Sequence, residues 1–133
     1  MYNYRAELIR VVDGDTLDLR VDLGFCMTTV QRFRLLGYDA PEMHGATLTM
    51  GRIAQRALED LLYFANIEIT TDKGDSFGRW LCNLSVIGRF HSTPNVVQHL
   101  IDGGYGRAWD GKGKRLPWDP KEAYPVSRAG GSS

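Results

Sequence analysis

The run Thr16-Leu17-Asp18-Leu19-Arg20-Val21-Asp22-Leu23 alternates polar and apolar residues without a break. A period of two puts Leu17, Leu19, Val21 and Leu23 on one face of an extended strand, whereas a helix would scatter them around its circumference. This run therefore has to be a half-buried strand, and its neighbours must supply partners. Upstream, Tyr4 to Val12 is rich in aliphatic and β-branched residues. Gly14 sits between the two, so they form a hairpin with Asp13-Gly14 at its tip. Gly24 ends the second strand. A third strand is expected from Met27 to Leu36, with Val30, Phe33 and Leu35 facing inward.

The pattern then changes period. Leu48, Ile53, Ala54, Ala57, Leu58, Leu61, Leu62 and Ala65 recur at helical spacing, which predicts an amphipathic helix over Leu48 to Phe64 capped by Thr47 or Thr49. Ile67 to Thr71 reads as a short strand, Asp72 to Asp75 as a turn, and Arg79 to Ile87 as another strand. Pro94 to Asp102 forms a second helix that Gly103-Gly104 ends. Three strands, a helix, two strands and a helix make an α+β chain that is mainly β. The fold class expected is a five-stranded OB-type barrel with two or three helices, because closure hides the edges of short strands. Residues 1–119 are expected to form one such domain. Residues 120–133, broken by Pro120 and Pro125 and ending in Gly and Ser, are expected to be a polar, disordered tail. Barrels of this type bind oligonucleotides or oligosaccharides across one face.

Composition limits the rest. The 133 residues are 43% apolar, enough for one packed core. No run reaches membrane-spanning length, and the N-terminus lacks the basic and apolar stretches of a signal peptide. A cytoplasmic protein with no membrane partner is the expectation, and no protein partner can be inferred. Formal net charge is zero, so the chain is not one that grips long duplex DNA by broad phosphate neutralisation. Basic residues gather late, at Arg107, Lys112, Lys114, Arg115, Lys121 and Arg128, diluted by Asp110, Asp119 and Glu122. A solvated surface and a local binding patch both account for them. Cys26 and Cys82 lie far apart, have no metal-ligand spacing and read as thiols, Cys82 as a small core residue.

Chemistry-bearing residues cluster elsewhere. The segment Arg34-Leu35-Leu36-Gly37-Tyr38-Asp39-Ala40-Pro41-Glu42 brings a cation and two acids to the end of a strand. Asp13-Gly14-Asp15-Thr16 adds an acid pair, and Gly78-Arg79 a second arginine. Carboxylates suited to a hard metal, a carboxylate for a base and two guanidiniums for a phosphate are the parts of a metal-assisted phosphodiesterase. Taken singly, Asp-Gly-Asp is usually only a hairpin turn, and an arginine such as Arg34 only an ion-pair partner. His44 reads as a loop histidine, and His91 and His99 have no constellation. Trp80 reads as core, while Trp109 and Trp118 could stack on bases.

Taken in order, Asp13-Gly14-Asp15-Thr16, Phe33-Arg34-Leu35-Leu36, Asp39-Ala40-Pro41-Glu42, Gly51 with Ala54, and Phe77-Gly78-Arg79 resemble the staphylococcal nuclease (thermonuclease) family, over about residues 8–110. The resemblance implies an OB-type barrel that cleaves DNA and RNA with Ca²⁺ and leaves 3′-phosphates. By motif, Asp15 and Asp39 would ligate the metal with the Ala40 carbonyl, where the family often has threonine, and Asp13 would stand behind them. Glu42 would be the base, and Arg34 and Arg79 would hold the scissile phosphate. Oxygen ligands alone do not separate Ca²⁺ from Mg²⁺. Trp109, Lys112, Lys114 and Arg115 are candidates for substrate contact, with DNA as the expected partner and RNA as a second. The chain departs from the family in Ser76-Phe77, where the family has Lys-Tyr, and in a shorter loop between Glu42 and Gly51. It also lacks evident base-stacking tyrosines near Asp110 and a long C-terminal helix. A catalytically silent OB-type binding module is the rival reading.

Overall fold

A computed structural model of the chain describes residues 2–74, 78–88, 92–111 and 115–119. The expectations for Ser76, Phe77, His91, Lys112, Lys114 and the 120–133 tail fall outside these residues. The chain opens with β1 (Tyr2–Asp13), β2 (Thr16–Gly24) and β3 (Met27–Leu35). Then come β4 (Tyr38–Asp39), a 3-10 turn (Gly45–Thr47) and α1 (Leu48–Leu62). The second half carries β5 (Asn66–Gly74), β6 (Trp80–Ile87), β7 (Ser92–Thr93), α2 (Val96–Asp102) and β8 (Arg107–Ala108). The main sheet runs β3-β2-β1-β5-β6-β7. It closes where β3 pairs in parallel with β6, Phe33 opposite Trp80 and Leu35 opposite Cys82. Five strands thus form a barrel, and the α+β OB-type expectation holds.

Alternation decides which residues enter the barrel. Leu17, Leu19 and Val21 of β2 are buried, as are Phe33 and Leu35 of β3, and Ile67 and Ile69 of β5. Cys82, Leu84 and Val86 of β6 join them. Val30 does not, at 52% exposed. An even-numbered residue cannot share a strand face with Phe33 and Leu35, so the inward expectation for Val30 fails on parity. Trp80 is also outside the core, at 43% exposed: it is the first residue of β6, at the end of the strand face on which Cys82, Leu84 and Val86 are buried. Burial pushes the Cys82 thiol up to about 12, as expected for an inert core cysteine.

Helix α1 buries Met50, Gly51, Ala54, Leu58 and Leu62, a single stripe at three- and four-residue spacing. It lies against β1, where Gln55 Nε2 donates to the Val11 carbonyl at 3.1 Å. Truncating a fully buried residue such as Leu58 to alanine costs about 2–5 kcal/mol. The helix stops at Leu62, two residues before the pattern predicts, because Tyr63 is extended and Phe64 is left-handed at φ 57°. Thr47 stands at the N-cap but does not cap by side chain. Its hydroxyl donates to the carbonyls of Glu42 at 2.9 Å and His44 at 3.2 Å. Asn95 caps α2, its Oδ1 accepting the Gln98 N–H at 3.0 Å. Among the described residues no helix is long and apolar enough to cross a membrane.

Two small residues set the approach of α1 to the chain around residue 40. A Cβ on Gly51 would lie 2.6 Å from the Glu42 carbonyl oxygen. A Cβ on Gly14 would lie 2.6 Å from the Ala40 Cβ and 2.9 Å from that of Ala54. The hairpin tip, the segment after β4 and the first turns of α1 therefore meet with no room for a larger side chain.

Candidate active site

Each acid reaches the site from a different element. Asp15 closes the β1–β2 hairpin, where Asp13 pairs with Thr16 across Gly14-Asp15. The Asp15 N–H donates to Asp13 Oδ1 at 3.1 Å, an Asx-type turn that fixes the tip. Asp15 Oδ1 accepts the Thr16 hydroxyl at 3.0 Å, and Oδ2 accepts the Ala40 N–H at 3.0 Å. Asp39 belongs to β4, a two-residue strand that pairs with β8 so that Asp39 faces Arg107 and Tyr38 faces Ala108. Arg34 stands opposite Thr16 in the β2–β3 register. Glu42 follows β4, its carbonyl wedged against Gly51.

The side chains interleave by sign. Arg34 Nη2 lies 3.6 Å from Asp15 Oδ2 and 3.6 Å from Asp39 Oδ1, and donates to the Tyr38 carbonyl at 3.2 Å. Arg115 Nε donates to Asp39 Oδ1 at 2.7 Å, its Nη1 to Glu42 Oε1 at 2.6 Å and its Nη2 to the Ala40 carbonyl at 3.2 Å. Arg107 holds the other oxygen, with Nε 3.1 Å and Nη2 3.0 Å from Asp39 Oδ2. Trp118 Nε1 donates to that same Oδ2 at 3.1 Å. Asp39 is fully buried, and its carboxylate is wrapped by these donors.

Burial pushes the Asp15 carboxyl up to about 6. Asp13 adds to the rise by hydrogen bond and like charge, while Arg34 and the Ala40 N–H oppose it. Tyr38, buried in β4 next to Asp39, feels both acids. Burial first, then the charges of Asp15 and Asp39, hold its hydroxyl well above the usual tyrosine range. Desolvation works against the Arg115 charge, but Asp39 and Glu42 outweigh it and its pKa is raised.

The structure thus brings together Asp15, Arg34, Asp39, Ala40 and Glu42, with Asp13 directly behind Asp15. Arg79 precedes β6 by one residue and is half-buried, so the β3–β6 pairing brings it beside the strand that carries Arg34. Trp109 packs its ring against the Arg34 guanidinium, 5.3 Å from centroid to Cζ. Arg115, a candidate for substrate contact, is bonded into the acid cluster. The sequence names Arg107 only among the late basic residues and Trp118 only as a ring that could stack on bases; their place on Asp39 is not legible in it, since Arg107 enters through a strand too short to show a period. The Trp118 ring covers the Arg107 guanidinium at 4.2 Å, and Arg107 Nη2 also donates to the Leu116 carbonyl.

The donor chemistry here, carboxylates and a carbonyl, suits a hard divalent cation. Among the described residues no three His, Cys, Asp or Glu side chains assemble as a metal-binding group. Arg34 lies between Asp15 and Asp39, and Arg115 between Asp39 and Glu42, so guanidiniums supply the positive charge that the acids share.

The chain is 30% identical over 123 residues to Protein ParB of Escherichia coli, covering 84% of this chain and 65% of that protein. It is 35% identical over 79 residues to Micrococcal nuclease of Shigella flexneri, covering 59% of this chain and 41% of that protein. The chain therefore spans less than two thirds of the length of either relative. No protein-family model matches it. The partial match to a micrococcal nuclease and the closed five-stranded barrel together support a nuclease-like OB fold.

Proposed function

We propose that the chain is a divalent-cation-dependent nuclease that hydrolyses phosphodiester bonds of DNA, with RNA as a second substrate, using Ca²⁺ and leaving 3′-phosphate ends. The observation that carries this reading is the convergence of Asp15, Asp39, the Ala40 carbonyl, Glu42 and Arg34 at one edge of the barrel. Likeness to a nuclease by name adds to it. Asp15, Asp39 and the Ala40 carbonyl would hold the cation. Such an ion, when bound, polarises a phosphoryl oxygen. Glu42 takes the proton of the attacking water. Arg34 and Arg79 bind the phosphate oxygens on which charge builds, a task suited to a planar guanidinium fork.

The test uses single-stranded DNA with Ca²⁺, with Mg²⁺ and with chelator. Cleavage that requires the cation is expected, and Glu42→Gln is expected to slow it about 10²- to 10⁴-fold with the fold retained. A Glu42→Gln protein that cleaves at the wild-type rate would sink the base assignment. One observation favours a second reading, a catalytically silent nucleic-acid-binding module: Glu42 is already tied to Arg115 at 2.6 Å. Retention of DNA without cleavage under every divalent ion would select it.

A further inference from the structure

We propose that Arg115 occupies the divalent-cation position from within the chain, so that Arg115 and a bound metal ion exclude one another. This rests on the cation site just proposed. The three nitrogens of the guanidinium reach three separate oxygens, Asp39 Oδ1, Glu42 Oε1 and the Ala40 carbonyl. Asp39 and Ala40 are two of the three ligands assigned to the cation, and Glu42 is the base beside it. A calcium ion needs such lone pairs at about 2.3–2.6 Å, no farther than the shortest Arg115 contact, 2.6 Å to Glu42 Oε1, so it would need the space that the guanidinium fills. A guanidinium and a divalent ion cannot direct themselves at the same lone pairs, and their like charges repel at this range.

Access makes the same point independently. Asp39 is 0% exposed, and each of its oxygens is covered by Arg34, Arg107, Arg115 or Trp118. An ion arriving from solvent must displace one of them. Arg34 belongs to a barrel strand and Arg107 to β8, where backbone pairing holds both. Arg115 is held by side-chain contacts, within the short stretch that also carries Leu116 and Trp118. Its departure frees the Ala40 carbonyl and removes the hydrogen bond on Asp39 Oδ1 in one movement, leaving that oxygen with Arg34 Nη2 at 3.6 Å. It also loosens Trp118, which is buried on Arg107 and bonded to Asp39. The cation is thereby coupled to the exposure of a tryptophan. An arginine already at the site becomes available to a phosphate only after the metal arrives.

Calcium titrations of the full chain test this, followed by calorimetry and by tryptophan emission. If the open form is about one part in ten or less of the wild-type population, Arg115→Ala binds Ca²⁺ about tenfold tighter or more. In the wild-type protein Ca²⁺ shifts tryptophan emission to the red, and Trp118→Phe loses that shift. Equal or weaker Ca²⁺ affinity in Arg115→Ala overturns the competition and leaves the metal site standing. Absence of binding to both proteins up to about 10 mM, above the weakest dedicated Ca²⁺ sites, overturns the metal site and the competition together. If Arg115→Ala does not fold, the wild-type emission decides. Calorimetric binding with the shift supports the exchange, and binding without it overturns the exchange.

Discussion

Asp18 and Asp39 each accept hydrogen bonds from two arginines in nearly the same geometry, with a third, Arg34, 3.6 Å from Asp39, yet the two acids lie in different surroundings. Asp18 takes Arg10 Nε at 3.1 Å and Arg32 through Nε at 2.8 Å and Nη2 at 3.1 Å. Asp39 takes Arg107 Nε at 3.1 Å and Arg115 Nε at 2.7 Å. The Asp18 side chain keeps 16% of its exposure and its arginines 62% and 43%, whereas Asp39 keeps none and its arginines 29% and 33%. Distances alone would rank the two clusters equal. Water ranks them otherwise: it screens the first and can replace a lost partner there, and it does neither at the second.

The largest effect expected from this difference is at Asp39. Asp39→Ala leaves Arg107, Arg115 and the Trp118 indole without their shared acceptor, in a place water does not freely reach. Breaking a buried cluster from one side costs about 3–5 kcal/mol, because the remaining charges stay desolvated. Urea denaturation in the presence of chelator measures it without any contribution from bound metal. A loss below about 1 kcal/mol would put Asp39 in the surface class and remove the contrast.

The contrast was only partly legible in the sequence. The hairpin, α1 and the barrel strands were readable because period two and period 3.6 leave long signatures, as in Thr16 to Leu23 and in the stripe from Met50 to Leu62. The acids Asp15, Asp39 and Glu42 stood out because carboxylates beside Arg34 are uncommon at a strand end. Their wrapping was hidden. Strands β4 and β8 have two residues each, too few for a period, yet their register places Arg107 against Asp39. The pairing of Arg115 with Asp39 spans 76 positions, and nothing local announces such a contact. Gly51 and Ala54 carried a meaning that became physical only once the Glu42 carbonyl was found against the helix.

The two ends of the comparison should also differ in the sign of their pH dependence. Asp15, beside Asp39, is raised from 3.8 to about 6, chiefly by burial. The folded state therefore binds its proton more tightly than the unfolded state does. Stability falls as pH rises from about 4 to about 6 and is flat above that window, as far as this group is concerned. Asp18 is lowered from 3.8, the Arg32 hydrogen bond being the largest cause. Its contribution is complete above the unfolded value and is lost as pH falls through the lower folded value. Urea midpoints across this range, in chelator, should show the first fall in the wild type and lose it in Asp15→Asn. A fall of the same shape in Asp15→Asn would assign it to another group.

The smallest effect is expected at the surface clamp itself. Asp18→Asn removes the charge that Arg10 and Arg32 share, but both guanidiniums are exposed enough for water to take over. The carboxylate also gives up desolvation that the pairing had to offset. Exposed pairs measured in isolation contribute about 0–1 kcal/mol, and salt screens even that. Asp18→Asn should therefore shift the urea midpoint by no more than that amount, and the shift should shrink as salt is added. A loss of more than about 2 kcal/mol that persists in high salt would mean that the Arg10–Asp18–Arg32 bridge fastens β1 to β3 across β2. Burial would then not be what separates the two clusters.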